Sequence, residues 1–166
     1  LAKDPTTELV VFPEGSNGWF PNENVNRTNA KEFSDTIPRV SNGYPVYNPC
    51  SDRAEGTQLN ALSCLAKNYN VVLVANIIEY RKCDKNIYNY QYEIGDPTCP
   101  DDGYLLFNTA VVFNKDGNLL AKYYRRHLSG EMNINQAPLP SRAPVYFDVA
   151  FDSTGGEAVR FGLMIC

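Results

Sequence analysis

The sequence predicts an α/β fold, and three observations carry that expectation. Leu59, Leu62, Leu65 and Ala66 recur at helical spacing. The apolar run Val71 to Ile77 follows them directly, and two further pairs of apolar or β-branched runs flank turn sequences at Asn114 to Gly117 and at Gly155-Gly156. Composition agrees, since 166 residues that are 43% hydrophobic and 20% charged suit one domain with a core to bury.

Taken in order, Thr7 to Pro13 is a short β-branched run stopped by proline, and it delivers Glu14 to a strand's carboxyl end ahead of Gly15. From Ser16 to Cys50 the chain is rich in Asn, Gly, Pro and aromatic residues and reads as one long loop with a helical turn near Ala30 to Phe33. The helix of Leu59 to Ala66 ends in the polar stretch Lys67 to Asn70, and a helix feeding a fully apolar strand suggests a βαβ unit. Between Glu79 and Gly103 the chain is polar and tyrosine-rich and reads as an insertion, in which Cys83 and Cys99 could form a stapling disulfide. Leu105 to Phe113 and Asn118 to Tyr124 flank Asn114-Lys115-Asp116-Gly117, where Asp-Gly supplies the positive φ of a tight hairpin. Val145 to Phe151 pairs with Val159 to Ile165, and the last strand ends on Cys166. No internal repeat, low-complexity tract or interdomain linker interrupts this order. Because the chain opens on Leu1 in the approach to its first strand, it reads as a fragment or a processed chain.

Charge and composition exclude several functions. The formal net charge is -4, and the basic cluster Lys122 to Arg126 has no second basic stretch to extend it, so nucleic acid is not an expected partner. No apolar run approaches the roughly 20 residues of a spanning helix, so no transmembrane segment is expected. With His127 the lone histidine and no CxxC spacing, neither a metal site nor a cofactor is expected. Nothing in the sequence fixes an oligomeric state. Five cysteines is an odd count, which suggests two disulfides and one free thiol. Together with the sequon Asn26-Arg27-Thr28, it favours a secretory, oxidising compartment with glycan on Asn26.

Three of the runs end at reactive side chains: Glu14, Arg125 and Cys166. Carboxyl ends of strands are where active sites gather in open α/β sheets, because loops there diverge while the sheet stays rigid. Thiol attack on an amide needs a base for the thiol proton and a positive donor for the carbonyl oxygen, and a carboxylate and a cation supply these. Taken singly, each residue has a plainer reading: a solvated turn glutamate, a surface arginine pair with Arg126, and a small buried cysteine.

Read together, the segments resemble the nitrilase superfamily of carbon-nitrogen hydrolases and, within it, the vanin and biotinidase branch. The resemblance rests on Val11-Phe12-Pro13-Glu14, Tyr123-Tyr124-Arg125-Arg126-His127-Leu128 and Phe161-Gly162-Leu163-Met164-Ile165-Cys166. Branch-like segments run in the same order at Asn48-Pro49-Cys50, Leu62-Ser63-Cys64-Leu65-Ala66-Lys67, Val74-Ala75-Asn76-Ile77, Cys99-Pro100 and Phe107-Asn108-Thr109. What the resemblance implies is an αββα sandwich, of which residues 1–166 form an N-terminal and central portion with the ends of the domain missing. It implies Glu14 as general base, Cys166 as the nucleophile that forms a thioester, and Glu131 as an auxiliary carboxylate. It also implies disulfides within Cys50 to Cys64 and Cys83 to Cys99, with Cys166 free. The implied substrate is a small amide of a vitamin-related acid, such as pantetheine or a biotinyl amide. The implied location is extracellular, with a membrane anchor in a further segment as one form of it.

Arg125 occupies the place of the catalytic lysine in that pattern, and a planar guanidinium is not equivalent to a compact ammonium. An alternative follows: a secreted, non-catalytic relative that keeps the fold for binding or storage. A third reading pairs Cys166 with His127, but such a thiol is typically activated at a helix N-terminus, whereas Cys166 follows a strand.

Overall fold

The structure, a computed structural model, describes residues 4, 6–16, 26–40, 47–52, 57–84, 97–131, 133–138 and 144–165. Four strands lie side by side in the order β1 (Leu9–Val11), β3 (Val72–Lys82), β4 (Tyr104–Phe113) and β5 (Leu119–Tyr124), and β2 (Ser34–Asp35) also pairs with β3. Both β1 and β2 run parallel to β3, the first against Val72 to Val74 and the second against Ile78 and Glu79. Between them, among the described residues, no strand lies beside the edge of β3, and the chain leaving β1 turns there, with the Gly15 N–H donating to the Asn76 side chain at 3.0 Å.

Helix α2 (Gln58–Tyr69) makes the crossover from β1 to β3, as the βαβ pattern predicts. Thr57 caps it, its side chain accepting from the Asn60 N–H at 3.0 Å, and Asn70 ends it in the left-handed region at φ 50. Its apolar stripe, Leu59 and Ala66 with Leu62, packs on Leu73, Ala75, Ile77, Val111 and Phe113. These alternate along their strands with Val72, Ala110 and Val112, which face the other way against a hairpin of β6 (Val145–Ala150) and β7 (Ala158–Leu163). All ten residues of β4 are therefore buried, as a strand covered on both faces requires. The layers are helix, sheet and sheet.

Several expectations meet the structure with adjusted bounds. The turn in the long loop is α1 (Arg27–Glu32). The β4–β5 hairpin turns through Lys115 and Asp116, with only Gly117 of the loop at positive φ, +85; a Cβ there would stand 2.9 Å from the Ser63 carbonyl. The reading of Glu79 to Gly103 as an insertion is corrected at its start. β3 continues through Lys82, whose Cα partner on β4 is Tyr104. The strand survives its charges because they are neutralised: Glu79 is fully buried and accepts from Arg81 Nε at 2.7 Å, from Lys122 Nζ at 3.1 Å and from the Tyr124 hydroxyl at 3.2 Å. Cys50 is bonded to Cys64, and Cys83 to Cys99. β7 ends at Leu163 rather than Cys166, and Cys166 lies outside the described residues.

Candidate active site

Glu14 and Arg125 come from strands that are not neighbours. Glu14 follows β1 and Arg125 follows β5, both at carboxyl ends, because β1 is parallel to β3 and two antiparallel steps return β5 to the same direction. β3 and β4 lie between them and contribute Asn76 and Asn108, which are 4% and 2% exposed. The result is a polar row across the sheet, on the face that carries β6 and β7.

At its centre Arg125 Nη1 donates to Glu14 Oε1 at 2.7 Å and also to Glu131 Oε1. Its Nε donates to the His127 carbonyl at 3.1 Å, and its own backbone N–H donates to the Asn108 carbonyl at 2.8 Å. Glu131 is almost wholly buried, at 3% exposure, and its second oxygen accepts from the Ser129 N–H. Glu14 is more open, at 32%, and its Oε1 accepts a further hydrogen bond from Asn108 Nδ2 at 2.8 Å. Among the described residues, Glu14 Oε2 and Arg125 Nη2 make no hydrogen bond. Among the described residues, one carboxylate oxygen is thus held by two donors and the other by none, and one guanidinium nitrogen meets no acceptor.

The structure brings Glu14, Arg125 and Glu131 together. His127 contributes its carbonyl to Arg125, and the residue itself is exposed. Asn26 is exposed and caps α1, its side chain accepting from the Asn29 N–H at 2.8 Å. Sequence reasoning used Asn76 and Asn108 only as points of resemblance and missed their place in the site. A signal was available, since each is an amide inside an apolar or β-branched run, and a buried polar side chain needs partners. A cavity of about 420 Å³ opens where the chain leaves β5, lined by Arg126, His127, Leu128 and Gln136.

The sequence profile of the Carbon-nitrogen hydrolase family matches residues 1–166. Human pantetheinase is 34% identical over 171 residues, covering 99% of this chain and 28% of that protein. Biotinidase of Takifugu rubripes is 34% identical over 162 residues, covering 96% of this chain and 28% of that protein. The chain thus spans little more than a quarter of the length of these relatives. Among solved structures, Saccharomyces cerevisiae Nit3, a member of branch 10 of the nitrilase superfamily, superposes with a TM-score of 0.54 at 22% identity over 98% of this chain and 43% of its own. An N-terminal amidase with an Asn-Glu-Ala peptide superposes with a TM-score of 0.57 at 14% identity over 95% of this chain and 30% of its own. These likenesses show a nitrilase-type α/β sandwich, present in part. With its profile matched from the first residue to the last, the chain belongs to the carbon-nitrogen hydrolase family.

Proposed function

We propose that the protein to which this chain belongs is an amidase of the pantetheinase and biotinidase kind, cleaving the carbon-nitrogen bond of a small vitamin-related amide through a thioester on Cys166. The observation that carries the reading is the contact between Glu14 Oε1 and Arg125 Nη1, at 2.7 Å, with Glu131 on the same nitrogen. Ile165, the residue before Cys166, packs on the apolar cluster that includes Tyr123, two residues before Arg125, which supports the thiol as third member.

In this scheme the open Oε2 of Glu14 takes the thiol proton as the sulfur attacks the amide carbonyl carbon. Arg125 Nη2 donates to the oxygen as its negative charge develops. Collapse of the tetrahedral intermediate breaks the carbon-nitrogen bond, and the amine leaves with the proton that Glu14 held. Glu14 next removes a proton from water, whose oxygen attacks the thioester; the acid departs and the proton returns to sulfur. Glu131 holds Arg125 from the opposite side.

The pairs Cys50–Cys64 and Cys83–Cys99, with the exposed sequon at Asn26, support a secreted glycoprotein on the same reading. The test is hydrolysis of pantetheine and of a biotinyl amide by the full-length protein, with Cys166→Ala as the blank. Turnover of one of them by the wild type and none by the blank is expected; a folded wild type that cleaves neither favours the non-catalytic relative. What speaks for that second reading is that Arg125 is already committed to two carboxylates and a carbonyl.

A further inference from the structure

The Asn76 side chain has its orientation dictated by two backbone groups that cannot change roles. The Gly15 N–H can only donate, so the atom facing it at 3.0 Å is the amide oxygen; the Thr109 carbonyl can only accept, so the atom facing it at 3.2 Å is the nitrogen. That same NH₂ group donates to Asn108 at 2.6 Å, which forces the oxygen of Asn108 toward Asn76 and its NH₂ toward Glu14. The donor on Glu14 Oε1 is therefore set two residues away, by main-chain atoms of the Glu14 loop and of β4. Both amides are buried, so no solvent exchange loosens the sequence of donors.

We propose that Asn76 is a positioning residue that fixes, through Asn108, which oxygen of Glu14 is held by donors and which is left to accept a proton. Its link to catalysis rests on the reading of Glu14 as the base; its link to geometry does not. Gly15 closes the circuit, because its N–H, immediately after Glu14, orients the amide that in turn orients the Glu14 carboxylate. Without that circuit Glu14, at 32% exposure, is free to offer either oxygen to Arg125.

Asn76→Asp separates this role from simple packing. It keeps the volume and the acceptor for the Gly15 N–H, but it cannot donate to Asn108. The Asn108 amide then turns its NH₂ to the new carboxylate and presents its oxygen to Glu14. In the full-length protein we expect kcat to fall roughly 10²-fold, as for a misplacement of about 1 Å, with KM changed by less than about twofold. A crystal structure of the variant should show the Glu14 to Asn108 contact opened beyond about 3.5 Å. If Asn76→Asp fails to fold, Asn108→Leu removes the donor while leaving Asn76 its contacts to Gly15 and Thr109, and the same loss of kcat is expected. Wild-type kcat in a folded variant overturns the proposal. If the wild type hydrolyses no amide, the functional reading has failed, and the crystallographic arm alone decides: an intact Glu14 to Asn108 contact in Asn76→Asp overturns the relay.

Discussion

Arg125 must serve two acids with one nitrogen, and that decides what a substitution there does. Its fork also ties Nε to the His127 carbonyl, so the guanidinium is held at several points in a site where only 11% of it is exposed. A lysine would bring one compact ammonium, leaving more room for a substrate carbonyl. Arg125→Lys in the full-length protein should raise amide hydrolysis, by about tenfold if the fork costs one well-placed oxyanion donor in part; a fall would mean a site rebuilt around arginine. Asn26 poses a different question at the same scale, since one side chain is both helix cap and sequon. The cap uses the oxygen and a glycan uses the nitrogen, so the two are compatible. Asn26→Asp should abolish a glycosidase-sensitive gel shift without moving the melting temperature beyond the loss of the glycan. Asn26→Ala should lose the cap as well, at about 1 kcal/mol.

At the scale of elements, the register of β3, β4 and β5 is locked by a buried charge cluster on the side of α2. Glu79 is fully buried, and the side chains of Arg81 and Lys122 are 3% and 7% exposed. Both cations share this carboxylate, so Glu79→Leu takes a buried ionic partner from each and should destabilise the protein by about 3–5 kcal/mol in urea unfolding. Lys122 is also three residues before Arg125, so a disordered cluster should disturb the site as well as the fold. This is where sequence reading stopped short. Charges at Glu79 and Arg81 break an apolar run and look like its end, but partners from β5, more than forty residues on, let the strand continue. The β4–β5 hairpin was legible because its signal is local: apolar runs on either side of an Asp-Gly turn.

Across the whole molecule, Glu8 fastens the β6–β7 hairpin to the larger sheet. Its carboxylate accepts from the Asp152 N–H at 2.6 Å and the Ser153 N–H at 3.1 Å, and it pairs with Lys115 at 3.2 Å. Hydrogen bonding from the Ser153 side chain above all, then from these backbone groups and Lys115, lowers its pKa from 4.5 to about 2. The folded state therefore binds this proton less readily than the unfolded chain does. The stabilisation is complete above pH 4.5, and it is lost as pH falls from there to about 2. Glu8→Gln should lower the urea midpoint at pH 7 and converge with the wild type near pH 2; a gap that persisted in acid would show that the carboxylate charge is not what holds the hairpin.

The sequence alone determined the α/β class, the helix that crosses from the first strand to the next, both hairpins and the carboxyl-end positions of Glu14 and Arg125. These follow from periodicity and turn chemistry within a few residues. Only the tertiary structure decided that Glu14 meets Arg125 across 111 residues and Asn108 across 94. Those meetings follow from strand order, which puts β3 and β4 between β1 and β5 and lines four side chains in one row. Strand order depends on which faces bury against α2 and against β6–β7, a global competition for apolar contact that no short stretch of sequence encodes.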